Sequence, residues 1–212
     1  MIKVAVVGNI ASGKSEFEKY LYKKGFVIFD TDIMAHDILI DKPEVSQAFT
    51  DYDVFEYGRL SREKLAQLVF NNHELKSMLE SIVHPLILEN IENVFKTYND
   101  EEYVFISVPL LFEAGWQNLF DKIVFIKTDD DIRLKRLIER NGYDKDYAKK
   151  RLDSQMPQDE KIKNAHIVIE NNGSLDDFHI NIEKALLSLK WVFISSLCKK
   201  KHSENECSEF FV

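Results

Sequence analysis

Eight residues near the start of the chain constrain it most: Gly8-Asn9-Ile10-Ala11-Ser12-Gly13-Lys14-Ser15 satisfies G-x-x-x-x-G-K-[ST] in full. That pattern predicts a phosphate-binding loop where a strand precedes it and a helix follows. Both conditions hold. Ile2-Lys3-Val4-Ala5-Val6-Val7 is an apolar, β-branched run, and Phe17, Tyr20 and Leu21 then recur at helical spacing as far as Gly25, a residue suited to the left-handed turn that stops a helix. In such a turn consecutive backbone N–H groups face a polyphosphate at the positive end of the helix. Lys14 is expected to reach the β- and γ-phosphates, and the Ser15 hydroxyl to ligate Mg²⁺. Asn9 and Ala11 fill variable positions of the pattern.

A second apolar run, Phe26-Val27-Ile28-Phe29, leads directly into Asp30-Thr31-Asp32. Two carboxylates therefore stand at the carboxyl end of a strand, the edge where open α/β sheets bind ligands. Their i, i+2 spacing puts both on one side of extended chain, whereas a helix beginning at Asp30 would separate them. Asp30 reads equally as a helix N-cap. Asp32 reads as a catalytic carboxylate, accepting the proton of an attacking hydroxyl or holding Mg²⁺ through water.

Residues 33–99 are helical in pattern and too long for a simple crossover, which predicts an inserted helical lobe. Pro43 marks a break, Gly58-Arg59-Leu60-Ser61-Arg62 a turn with Ser61 as N-cap, and Asn71-Asn72 an interruption. The next helix carries His84-Pro85, where the proline is expected to bend or restart it. A single histidine there reads first as a capping or packing residue. Apolar strands follow at Tyr103–Val108, Lys122–Ile126 and His166–Ile169, giving five strands alternating with helices and hence a parallel α/β sheet. Asp129-Asp130-Asp131 suits the positive start of a helix better than a metal cluster. Beyond it lie Arg133, Lys135, Arg136 and Arg140, then Arg151 across a glycine-containing turn. On a flap, Arg140 and Arg151 can contact phosphates; the competing reading is surface ion pairs. Asn171-Asn172-Gly173-Ser174 forms a loop at the sheet edge able to hydrogen-bond an adenine or to cap the last helix.

A chain of 212 residues suits one domain, and its net charge of −8 argues against sequence-independent binding to nucleic acid. Two cysteines, Cys198 and Cys207, cannot organise a disulfide framework. The sequence shows neither a secretory leader nor a membrane-spanning run, so the expectation is a cytoplasmic protein that is a monomer or weak homo-oligomer.

Taken together and in order, these motifs resemble the dephospho-coenzyme A kinase family over nearly the whole chain to about Leu189. The resemblance is carried by the loop Gly8 to Ser15, by Asp30-Thr31-Asp32 and by Gly58-x-Leu60-x-Arg62-x-x-Leu65 leading to Val69-Phe70. His84-Pro85, Val108-Pro109-Leu110-Leu111-Phe112-Glu113, Leu134-Lys135-Arg136 with Arg140, Arg151-x-x-x-Gln155 and Asn171-Asn172-Gly173 complete it. It departs at Asn9 and Ala11, where the family often has glycine, at Glu16, where threonine is usual, and at His166, where aspartate is common. None of these removes a group with an assigned task.

The resemblance implies a P-loop kinase fold with a core of residues 1–32, 100–139 and 159–190, an acceptor-binding lobe at 33–99 and a lid at 140–158. It leaves 191–212 as a tail of unassigned role. The implied reaction is ATP-dependent phosphorylation of the ribose 3′-hydroxyl of dephospho-coenzyme A, the last step of coenzyme A biosynthesis. Lys14, Asp32 and Arg140 are then the expected catalytic residues. ATP is expected on Ala11, Ser12, Gly13, Lys14, Ser15, Glu16, Arg140, Asn172 and Gly173, with Mg²⁺ on Ser15 and, through water, on Asp32. The acceptor is expected on Asp30, Asp32, Arg62, His84, Pro109, Leu110 and Arg151. A nucleoside monophosphate kinase is the rival enzyme reading, against which the ordered lobe motifs weigh. A GTPase-like switch lacks its D-x-x-G and N-K-x-D.

Overall fold

A computed structural model describes residues 1–70 and 72–201, with side chains described through residue 189. The first apolar run forms β1 (Ile2–Gly8), in which Val4 to Val7 are fully buried. After the glycine-bearing turn comes α1 (Lys14–Lys23), which stops short of Gly25 at φ 82°. β2 (Val27–Asp30) then passes without a linker into α2 (Thr31–Asp41). Pro43 opens α3 (Pro43–Ala48), where its missing N–H would have had no helical partner anyway.

Between Phe55 and Leu60 the chain makes a small antiparallel hairpin, β3 (Phe55–Glu56) and β4 (Arg59–Leu60), where the sequence predicts only a turn. Tyr57 and Gly58 at its tip hold φ 51° and 77°, the left-handed pair that a two-residue hairpin link requires. Strands of two residues leave no alternation to detect. α4 (Arg62–Phe70) follows, beginning one residue after Ser61 as expected.

Asn72 caps α5 (His73–Thr97), its side chain accepting from the N–H groups of Glu74 and Leu75 at 3.0 and 3.1 Å. Of the bend or restart expected at Pro85, the restart does not occur: α5 runs through it for 25 residues. Proline removes one ladder bond, but Val83, Ile87, Ile91 and Phe95 are buried on either side of it and α5 packs against α2, α3 and α4. That packing outweighs one lost bond.

The wholly buried β5 (Tyr103–Ser107) comes next, then β6 (Lys122–Lys127), buried between its ends, and α6 (Asp130–Asn141), α7 (Lys145–Asp153) and α8 (Gln158–Ile162). β7 (Ile167–Glu170) and α9 (Leu175–Lys201) complete the chain, so the helix continues into the segment read as a tail. The rest of that tail, 202–212 with Cys207, lies outside the described residues, as does the Cys198 side chain.

The larger sheet has five strands in the order β2-β5-β1-β6-β7. β1 and β2 each pair with β5 in parallel, and β6 pairs with β7 in parallel. Long apolar runs with no alternation are what a parallel sheet covered on both faces demands. By packing, the chain divides into two compact units: Met1–Val7 with Leu21–Ile123, and Gly8–Tyr20 with the chain from Val124 onward. The first contains the segment read as an acceptor lobe. The second contains the glycine-bearing loop and the segment read as a lid. Among the described residues, no helix is long and apolar enough to cross a membrane.

Candidate active site

In the second unit, the loop between β1 and α1 has the geometry of an anion cradle. Ala11 holds φ 63° and Gly13 φ 100°, and left-handed residues alternating with ordinary ones turn successive N–H groups toward a common concavity. Gly13 is required there twice over, since a Cβ would also fall 2.2 Å from the Asn171 Nδ2. Polar groups from around the loop fix its backbone. Gln155 Oε1 accepts from the Ile10 N–H at 2.8 Å, and Asn9 Nδ2 donates to the Met156 carbonyl at 3.0 Å. Arg133 Nε donates to the Ile10 carbonyl at 3.0 Å, while Thr128 Oγ1 and Asn171 Nδ2 donate to the Ser12 carbonyl at 2.9 and 2.7 Å.

Lys14 Nζ donates to Glu18 Oε1 at 2.9 Å, one turn along α1, and the Ser15 side chain is exposed in that helix's first turn. Glu16 Oε1 lies 3.3 Å from His179 Nε2 on α9, an ion-pair geometry that anchors α1 on α9. These residues fit a polyphosphate: donors in the loop, a lysine at its end and a hydroxyl open to solvent.

The aspartate triplet starts a helix as expected. Asp129 is the N-cap residue of α6, and its own N–H donates to Asn172 Oδ1 at 2.9 Å. The Asn172 carboxamide thus holds the start of α6. Asp130 Oδ1 accepts from Arg133 Nη1 and from Gln158 Nε2 at 2.7 and 2.8 Å. Burial pushes the Arg133 guanidinium below its ordinary pKa and the Asp130 charge opposes that push; guanidinium remains a cation in either case. Burial has the same direction at Arg136, whose Nη2 donates to the Asn171 carbonyl at 3.1 Å. Arg140 and Arg151 are exposed, Arg140 Nε donating to Asn141 Oδ1 at 2.9 Å. Gly173 lies against the Asp177 carboxylate, which Ser174 holds in a reciprocal cap at the start of α9.

In the first unit, a cavity of about 210 Å³ gathers Asp32 from α2, His84 from α5, and Pro109 and Leu110 from the loop after β5. Thr31, Leu79, Val83, Ile87 and Trp116 complete much of its mostly apolar wall. Asp32 is exposed in the first turn of α2. Asp30 does not line this cavity. As N-cap of α2 it accepts the Asp32 N–H on Oδ1 at 2.7 Å, because the helix begins immediately at Thr31 and ends the extended geometry. Arg62, exposed at the start of α4, does not line this cavity. His84 does, its ring edge-on to Trp116.

Thr128, Arg133, Gln155 and Trp116 were not singled out by sequence as site residues. A threonine after a strand and an arginine in a charged helix look ordinary; only the fold shows Thr128 fully buried and Arg133 at 2% exposure beneath the loop. Gln155 appeared within a motif, without a role.

A family model described as dephospho-CoA kinase matches residues 2–177 of the chain. The dephospho-CoA kinase of Fusobacterium nucleatum is 36% identical over 184 residues, covering 85% of this chain and 95% of that protein. A solved structure from Thermus thermophilus is similar with a TM-score of 0.79 at 33% identity, covering 88% of this chain and 96% of the other. For the dephospho-CoA kinase from Campylobacter jejuni the TM-score is 0.70 at 32% identity, with the same coverages of 88% and 96%.

Proposed function

The chain belongs to the dephospho-CoA kinase family, and from that premise we propose that it transfers the γ-phosphoryl group of ATP to the ribose 3′-hydroxyl of dephospho-coenzyme A. The observation that carries this reading is the single cavity gathering Asp32, His84, Pro109 and Leu110, four residues expected at the acceptor. Its apolar wall suits the uncharged parts of a long acceptor, and its carboxylate suits a hydroxyl.

Asp32 is the base in this scheme, since the Asp30 carboxylate caps α2. As the 3′-oxygen forms its bond to the γ-phosphorus, the hydroxyl proton passes to Asp32, and the bond to the β,γ-bridging oxygen breaks to release ADP. Transfer of this kind depends on positioning and on stabilising charge spread over the phosphoryl oxygens. Within Ala11 to Ser15, the N–H groups of Ala11, Gly13, Lys14 and Ser15 supply the donors, that of Ser12 being given to the Asn9 carbonyl. Lys14 exchanges the Glu18 carboxylate for phosphate oxygens. Mg²⁺, which retains waters and needs few protein ligands, would be held by the Ser15 hydroxyl and, through water, by Asp32, offsetting charge on the β- and γ-oxygens. Arg140 and Arg151 are proposed to neutralise the phosphoryl group in transit. With the Asn172 side chain engaged at α6, contacts to adenine fall to the backbone of Asn172 and Gly173 and to the stem of Arg140. The cytoplasm is the proposed compartment.

An acceptor screen with ATP and Mg²⁺ tests the assignment. Dephospho-coenzyme A should be phosphorylated far faster than AMP or adenosine, with the new phosphate at the 3′ position. Equal rates on all three would remove the substrate assignment.

A further inference from the structure

Three side chains outside the phosphate pattern determine which way its N–H groups face. In a trans peptide, the carbonyl and the following N–H point in opposite directions. Arg133 Nε holds the Ile10 carbonyl at 3.0 Å, so the Ala11 N–H faces away from Arg133. Thr128 Oγ1 and Asn171 Nδ2 hold the Ser12 carbonyl at 2.9 and 2.7 Å, so the Gly13 N–H faces away from both. Each fixed peptide precedes a residue at positive φ, Ala11 at 63° and Gly13 at 100°.

At Ala11 this orientation is opposed by the residue itself. Alanine disfavours the left-handed region, and a flip of the Ile10–Ala11 peptide would relax it. The same flip would replace an inward N–H with an inward carbonyl, a dipole aimed the wrong way for phosphate. Arg133 is built to resist it: it is 2% exposed and locked by Asp130 Oδ1 at 2.7 Å, while Gln158 Nε2 holds that carboxylate in turn at 2.8 Å.

We propose that Arg133, Thr128 and Asn171 are positioning residues for phosphoryl transfer, holding the loop carbonyls outward so that the Ala11 and Gly13 N–H groups are aimed at the nucleotide phosphates before nucleotide arrives. Arg133 acts through the peptide and not by touching phosphate. The inference deepens the kinase reading and rests on it only for the identity of the nucleotide.

The test is calorimetric titration of ADP into the full-length protein, with no acceptor present, alongside separate KM values for ATP and dephospho-coenzyme A. Arg133→Met should weaken ADP about tenfold, the effect of losing one charge-assisted hydrogen bond, and raise the ATP KM while leaving the dephospho-coenzyme A KM unchanged. Arg133→Lys, which retains a cationic donor, should recover most of the affinity. A folded Arg133→Met protein that binds ADP like wild type overturns the proposal, as does an equal rise in both KM values. If Arg133→Met does not fold, Thr128→Val carries the test, since it removes one donor from the Ser12 carbonyl and leaves Asn171 in place. It should weaken ADP about threefold, and unchanged affinity overturns the proposal. Because ADP binding needs no acceptor, a protein that fails to phosphorylate dephospho-coenzyme A would refute the substrate assignment and leave this measurement intact.

Discussion

His84 meets Trp116 edge to face, ring centres 5.0 Å apart and planes at 74°, on the wall of the cavity that also holds Asp32. Such a pair fixes the imidazole more firmly than an aliphatic neighbour would. Trp116→Leu should therefore raise the dephospho-coenzyme A KM about fivefold, in line with the strength of one aromatic pair, and leave the ATP KM where it was. Initial-rate kinetics with each substrate varied in turn would show it; an unchanged acceptor KM would separate His84 from the acceptor.

Asp32→Asn keeps the size of the side chain and discards its basicity. Nucleotide binding should persist while turnover drops about a hundredfold or more, the usual effect of losing a general base. Near-normal turnover would move the proton acceptor elsewhere.

Gly13→Ala places a methyl carbon 2.2 Å from the Asn171 Nδ2 at a backbone φ of 100°. Neither the amide nor the backbone can yield without turning the Ser12 carbonyl. ADP affinity measured by titration should fall by at least about tenfold, and retention of wild-type affinity would contradict the cradle geometry.

Ala11 presents opposing effects of similar size. Its left-handed φ of 63° costs about 1–2 kcal/mol. Replacement by glycine relieves that, but adds unfolded-state entropy of about 0.4–1 kcal/mol and removes a methyl packed on Leu137, Ala148 and Leu152, contributing up to about 0.8 kcal/mol. Ala11→Gly should thus change stability by less than about 1 kcal/mol, whereas Ala11→Val, β-branched at positive φ, should lose about 2 kcal/mol or more. Denaturant unfolding of the two variants distinguishes them; a neutral valine would mean that the loop is not held left-handed there.

Asp177 supplies the pH dependence. Hydrogen bonds from Ser174, side chain first and then backbone, hold its carboxyl below the usual value of 3.8. A group with a depressed folded pKa stabilises fully above its unfolded pKa and loses that effect as pH falls through the folded one. Asp177→Asn should lower the melting temperature at pH 7, and the difference should shrink as pH falls below the usual value of 3.8 and through the lowered folded one. A constant difference down to pH 2 would place the effect outside that ionisation.

Where sequence reading succeeded, the signal was local. Each strand of the larger sheet is an apolar run of its own, and the phosphate loop is one unbroken stretch of chain. The strand order β2-β5-β1-β6-β7 is set by long-range pairing and leaves no such mark. Asp30 reads in two ways because a carboxylate suits both a helix cap and an acceptor site; the helix that starts at Thr31 makes it the cap of α2. Pro85 left a bend or a restart open, and the continuous helix excludes the restart because the packing that holds it together is tertiary. Arg133, Thr128 and Asn171 matter only through backbone atoms more than a hundred residues away, a relation no spacing within their own segments expresses.

The bond from Asn171 to the Ser12 carbonyl spans 159 positions of sequence. During synthesis the glycine-bearing loop leaves the ribosome early, yet the partner that shapes it emerges on the order of 8–30 s later at about 5–20 residues per second. Throughout that interval a growing chain carries the complete motif without one of the bonds that hold its Ser12 carbonyl. Any fragment ending before residue 171 should share that gap and bind ADP several-fold more weakly than the full chain.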